Sequence, residues 1–238
     1  VAGNRCWFRG CTLFAFVFCG RKYNHHGDYS GKPQRKGGIL PLTFFPTHYK
    51  HWLTILIVAF ISTLNQWLFA DYVGNVEFVH AAVNNGEVWR LITHALWHTN
   101  LYHWGLNITG LALLWALHGE HYSPLNTFIL LSWCAVFSSA AVWLFAPHID
   151  YYVGLSAALH GLFCYGAVAD IRQKRYSGGL LILGIMVKLY FEQHQIHDNT
   201  ASLIEANVAY DAHIFGAVAG IIYAIVYFGQ QGLKKKNQ

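Results

Sequence analysis

The chain has 238 residues, of which 55% are hydrophobic, 16% aromatic and only 11% charged, whereas soluble domains carry about 25% charged residues. That balance excludes an ordinary soluble protein, and the apolar residues gather into stretches close to the roughly 20 that a bilayer core about 30 Å thick requires. The net charge of +5 is not a nucleic-acid signal, because all but Arg90 and Lys188 of the 16 Lys and Arg residues cluster in the N-terminal region, at Arg172, Lys174 and Arg175, or at Lys234, Lys235 and Lys236.

Residues 1–48 form a basic segment with no clear period. Residues 12–19 are apolar but too short to span, and with Arg5 and Arg9 ahead of them they mimic a signal peptide that lacks a small-residue cleavage site. Met186 is the only methionine, so an alternative start codon and translated upstream DNA are the two readings of this segment. It is expected to be disordered or not native, and to carry no chemistry.

Residues 49–230 hold six expected spans, at 52–70, 104–118, 124–146, 154–169, 176–191 and 208–228. The fold class is therefore all-α, a polytopic six-helix membrane bundle. The second, fourth and fifth spans are short and polar-flecked, which places them inside the bundle or beside a water-filled cavity. Between the first two, residues 71–102 mix Phe78, Val83, Trp89, Leu91, Ile92 and Trp97 at irregular spacing, with a turn at Asn84-Asn85-Gly86. This predicts short amphipathic helices in the membrane interface, where Trp and Tyr belong. A basic tail, 231–238, ends the chain. In this order the clustered positive charges share one side, and the positive-inside rule puts both termini in the cytoplasm. Cys6, Cys11, Cys19, Cys134 and Cys164 show no paired metal spacing and read as small apolar residues rather than a disulfide framework.

Three motifs carry chemistry. Gly154-Leu155-Ser156-Ala157-Ala158-Leu159-His160-Gly161 opens the fourth span. A serine at a helix N-terminus lies beside N–H groups with no intrahelical acceptor and the positive end of the helix dipole, so an oxyanion formed on Ser156 would meet donors that include its own N–H. Gly154 permits a sharp turn. In the sixth span, His213 is followed by Gly216 and Gly220 on one stripe, and small residues let helices pack closely. If the neighbour is the fourth span, His213 can reach Ser156. His103 and Asn107 share a face at the start of the second span, where Asn can donate to an oxyanion and His103 can do the same or position water. Each has a plain alternative: Ser156 as a packing residue, and the histidines and Asn107 as hydrogen-bonding groups of the core.

Together these motifs resemble the rhomboid intramembrane serine proteases. The family pattern is matched by Trp89-Arg90, by His103-Trp104-Gly105-Leu106-Asn107, by Gly154-Leu155-Ser156 and by Ala212-His213-Ile214-Phe215-Gly216, over about residues 50–230. Ala157 stands where the pattern has glycine. Leu159-His160-Gly161 and the compact body are similar to the rhombosortase branch. The resemblance implies a dyad of Ser156 as nucleophile and His213 as base, with Asn107, His103 and the Ser156 N–H as oxyanion donors. His160 would support the orientation of His213, with no metal and no cofactor. Asp211 would face away, and His94 and His98 would be structural, as would Trp89 and an Arg90 bonded to loop carbonyls. The implied partner is a membrane-anchored protein substrate with a C-terminal transmembrane tail of Gly-Gly type, cut near the outer face of a bacterial inner membrane. Water or an amine would complete the reaction, and nucleic acid has no part in it. Two other readings are a multi-span metal or haem protein built on His94, His98 and His103, and a catalytically silent relative that binds membrane clients. A transporter lacks support, since there is no inverted repeat.

Overall fold

The computed structural model describes residues 46–196 and 199–236. The expectations for residues 1–45, the three N-terminal cysteines among them, lie outside the described residues. Among the described residues, six long helices carry the fold: α1 (Tyr49–Leu68), α5 (Leu101–His118), α6 (Pro124–Phe145), α7 (Ser156–Arg172), α8 (Tyr176–Gln193) and α10 (Tyr210–Lys236). Of these, α1, α6 and α10 are long and apolar enough to cross a membrane. Short helices α2 (Val73–Val76), α3 (His80–Asn84) and α4 (Arg90–Thr93) punctuate the first loop, and α9 (Thr200–Ile204) lies between α8 and α10.

Local sequence sets several of these boundaries. Asn100 caps α5 by accepting from the His103 N–H at 2.9 Å, and Pro124 opens α6 where its missing N–H costs nothing. The turn after α3 ends on Gly86 at φ +97°, a conformation that glycine adopts without steric penalty.

α7 is the central helix, buried along most of its length between Ala157 and Asp170. Leu111 of α5, Leu130 of α6, and Leu162 and Tyr165 of α7 form the main core, with Ile55 and Val58 of α1 packed beside them. α10 lies directly against α7: a Cβ added at Gly216 would stand 2.0 Å from the Ala157 carbonyl oxygen, and one at Gly220 would stand 2.0 Å from that of Gly161. The glycine stripe of the sixth span thus faces the fourth. Of the two places expected for the fifth span, inside the bundle or beside a cavity, α8 takes the second: only Gly178 and Ile185 are buried, and Leu181, Lys188 and Glu192 border a cavity. Polar flecking marks both interior and cavity-facing helices, and α8 is of the second kind.

The described residues depart from an all-helical fold in one short antiparallel pair, β1 (Phe78–Val79) with β2 (Tyr151–Tyr152), in which Phe78 faces Tyr152 and Val79 faces Tyr151. Phe78, Val83, Val142, Tyr152, Ala157 and Ala212 pack as a second core. The first loop is therefore tied to the entry of α7. Arg90, buried, donates to the carbonyls of Gly74 at 3.0 Å and Glu77 at 2.8 Å and pairs with Glu87 at 2.6 Å. Their place at the end of the second span marks His118 and His121 as solvated interface histidines, but the structure draws both out of solvent. His118 is fully buried against Phe163, and His121 Nε2 lies 2.9 Å from Asp170 Oδ1, a carboxylate shared with Arg175.

His94 makes this loop sensitive to pH. It is fully buried, with Nε2 3.1 Å from Ser139 Oγ, and its carbonyl accepts the Gly154 N–H at 3.0 Å. Burial pushes its pKa down to about 4, and burial with His103 nearby pushes that of His98 to about 3. Both stay neutral in the fold, whereas the unfolded chain protonates near pH 6.5. Between pH 6.5 and about 4 the unfolded state therefore binds more protons, and stability falls as pH falls. The limiting slope is about 1.4 kcal/mol per pH unit for each histidine. The thermal midpoint in micelles should drop from pH 6.5 to 5, and His94→Gln should flatten the slope. Parallel slopes for the two proteins would count against this account.

Candidate active site

Ser156 is the first residue of α7. The turn that delivers it has Gly154 at φ +117°, where side chains are strained. Space forbids a side chain as well: a Cβ at Gly154 would come within 2.5 Å of His103 Nε2 and 3.5 Å of Asn107 Nδ2. Leu155 offers no side-chain cap, so the first N–H groups of α7 are left to other acceptors.

Across from it, α10 presents His213 with Nε2 2.8 Å from Ser156 Oγ. The other ring nitrogen, Nδ1, lies 3.1 Å from Glu192 Oε2 at the end of α8. A carboxylate can only accept, so this contact places the His213 proton on Nδ1 and leaves a lone pair on Nε2 towards the serine. His160 stacks on His213 with ring centroids 4.3 Å apart and an angle of 17°. Its Nδ1 donates to the Ser156 carbonyl at 2.7 Å, and its Nε2 accepts from Lys188 Nζ at 3.0 Å. Lys188 also pairs with Glu192 one turn along α8.

On the opposite wall, Thr99 holds His103 Nδ1, with its hydroxyl at 3.2 Å and its N–H at 3.4 Å, which turns Nε2 towards Gly154. Asn107 donates one amide hydrogen to the His103 carbonyl at 3.1 Å. Thr99 and Asn100 donate in turn to the carbonyls of Ile204 and Leu203, which binds α9 across the mouth of α5. His103, Asn107, Ser156, His160 and His213 all border one cavity of about 680 Å³, with Leu106, Leu113, Leu181 and Ile185 as apolar walls. A serine hydroxyl, three imidazoles and an amide converge there from α5, α7 and α10.

All six sequence-derived site residues, Gly154 and His160 included, thus meet in one place. Asp211 does not: it turns to His148 at 2.9 Å and Gln193 at 3.3 Å. His94 and His98 belong to no group of three metal-ligating side chains among the described residues. The two such groups are His160 with Glu192 and His213, and Glu120 with His121 and Asp170. Each already contains a cation, Lys188 or Arg175. Glu192 and Lys188 were absent from the sequence-derived site. The expected fifth span, 176–191, stops one residue short of the carboxylate, although the i, i+4 spacing of Lys188 and Glu192 marks a shared face.

A protein-family model described as Rhomboid domain matches residues 85–230, a range that contains every residue of this site. No curated protein matches the chain.

Proposed function

The chain belongs to the rhomboid family, integral membrane proteins that are in general serine intramembrane proteases acting on membrane-protein substrates, and from that premise we propose a serine endopeptidase that works through Ser156 and His213. The observation that carries this reading is the 2.8 Å contact between His213 Nε2 and Ser156 Oγ inside a cleft large enough for a peptide. In the proposed reaction His213 takes the Ser156 proton as Oγ bonds the scissile carbonyl carbon. The carbonyl oxygen becomes an oxyanion, met by the Ser156 N–H, Asn107 Nδ2 and His103 Nε2–H. Such donors are typically worth about 2.7–4 kcal/mol each in the barrier. Collapse of the intermediate expels the amine, which takes its proton from His213, and water or an amine then releases the acyl group.

The substrate proposed is a single-span protein with a C-terminal Gly-Gly-type anchor tail, cut near the outer face. The Leu159-His160-Gly161 sequence and the apolar walls of the cleft support that choice. Charge placement supports six crossings with both termini in the cytoplasm of a bacterial inner membrane.

The test uses proteoliposomes holding the full chain and a reporter with a Gly-Gly motif, one apolar helix and an Arg cluster. Cleavage is expected to be indifferent to a metal chelator and to fall at least tenfold when Gly-Gly is replaced by Leu-Leu. Loss of cleavage with chelator would favour the histidine–metal reading. Equal cleavage of both reporters would remove the rhombosortase-like specificity and leave the protease.

A further inference from the structure

A Ser–His pair can run without a third group, but only one tautomer of the histidine serves as base. In the other, the proton sits on Nε2 and faces the serine it should receive from. His213 is held in the productive tautomer by Glu192, whose Oε2 lies 3.1 Å from Nδ1 on the side of the ring away from Ser156. The Glu192 carboxylate is itself held: Lys188 binds its other oxygen, Oε1, and is anchored through Nζ to His160 Nε2 at 3.0 Å. His160 donates through Nδ1 to the Ser156 carbonyl at 2.7 Å and stacks on His213. The chain of contacts closes on itself, from Ser156 through His213, Glu192, Lys188 and His160 back to Ser156.

We propose that Glu192 is a positioning residue that makes the site a Ser156–His213–Glu192 triad, with Lys188 and His160 aiming the carboxylate. The proposal rests on the assignment of Ser156 and His213 made above. A surface i, i+4 pair of Lys and Glu would need neither partner on another helix, yet here the carboxylate reaches α10 and the ammonium reaches α7. The proton on Nδ1 stays on His213 throughout. Ser156 Oγ–H passes its proton to Nε2 as the Oγ–C bond forms, the ring becomes an imidazolium between Ser156 and Glu192, and the same proton leaves with the amine when the C–N bond breaks. The carboxylate stabilises the imidazolium without becoming protonated. His160, stacked on the ring at 4.3 Å, helps to hold its orientation. The same donors could be read as a metal site, but the Lys188 ammonium already bonds both Glu192 and His160.

The test compares wild type, Glu192→Gln, Glu192→Asp and Ser156→Ala in proteoliposomes. A fluorophosphonate probe reads the serine, and the tailed reporter gives kcat and KM. Glu192→Gln keeps the shape and removes the charge. It should lower kcat and the limiting labelling rate about 100-fold, with KM within about threefold and the thermal midpoint held. Glu192→Asp should recover at least tenfold of that loss. Labelling of Glu192→Gln within threefold of wild type would overturn the triad, as would a loss matched by a fall in thermal midpoint and not recovered by Glu192→Asp. Labelling of Ser156→Ala at the wild-type rate would instead overturn the serine assignment itself, and the triad with it.

Discussion

Ser156→Ala and His213→Ala are each expected to lower kcat/KM for the tailed reporter by about 10⁴-fold or more, and the double variant should be no slower than the worse single one. In the proposed reaction the two side chains act as a unit. Without the Ser156 hydroxyl, His213 has nothing to deprotonate; without the imidazole, the hydroxyl keeps its proton near neutral pH. The 2.8 Å contact between Oγ and Nε2 is one device, so its loss is counted once. A 10⁴-fold fall corresponds to about 5.4 kcal/mol of barrier. What remains should come from His103 and Asn107, which border the cavity independently of the pair, and from substrate binding. Single-turnover cleavage in proteoliposomes measures all three variants against wild type. A double variant slower by the product of the two single losses would mean that Ser156 and His213 work separately, against the proposed mechanism. More than about 1% of wild-type activity in Ser156→Ala would require another nucleophile.

Much of this arrangement is readable from the sequence because it is written in local spacing. Gly154 and Ser156 bracket a turn and a helix start, His103 and Asn107 sit one turn apart, and Gly216 and Gly220 follow His213 on one stripe. Each statement needs only the helical period, and the structure brings His103, Asn107, Ser156 and His213 to one cleft, with Gly216 and Gly220 seating α10 on α7. The stretches that the sequence could not resolve depend on how distant elements dock. Glu192 becomes part of the site only because the end of α8 leans on α10, a relation that no spacing along the chain encodes. His118 and His121 look like interface histidines until Asp170, about 50 positions away in sequence, draws His121 to 2.9 Å. The pairing of Phe78 with Tyr152 joins two segments too short to announce themselves as strands. Polar flecking puts α7 and α8 inside the bundle or beside a cavity, but which helix takes which place depends on the neighbours that surround each.

Replacing Gly216 by alanine should cost activity out of proportion to stability. The added Cβ would lie 2.0 Å from the Ala157 carbonyl oxygen, and a backbone carbonyl within a helix cannot rotate aside. α10 must therefore move off α7 by more than 1 Å to bring this pair to ordinary van der Waals contact at 3.4 Å. Overpacking of this kind costs about 1–3 kcal/mol, a loss the rest of the interface can bear. Catalysis has less tolerance. His213 stands one helical turn before Gly216 on the same face, and Ser156 immediately precedes Ala157, so the displacement falls directly on the 2.8 Å contact. A misplacement near 1 Å costs on the order of 100-fold in rate. Gly229, on the same helix with nothing within 4 Å of an added Cβ, supplies the control: Gly229→Ala should match wild type. The expected pattern is a thermal midpoint lowered by a few degrees in Gly216→Ala, with fluorophosphonate labelling of Ser156 down about 100-fold at a temperature where the variant is still folded. If labelling fell only in step with the folded fraction, the register of α10 on α7 would set stability alone, and the reach of His213 to Ser156 would not depend on the glycine stripe.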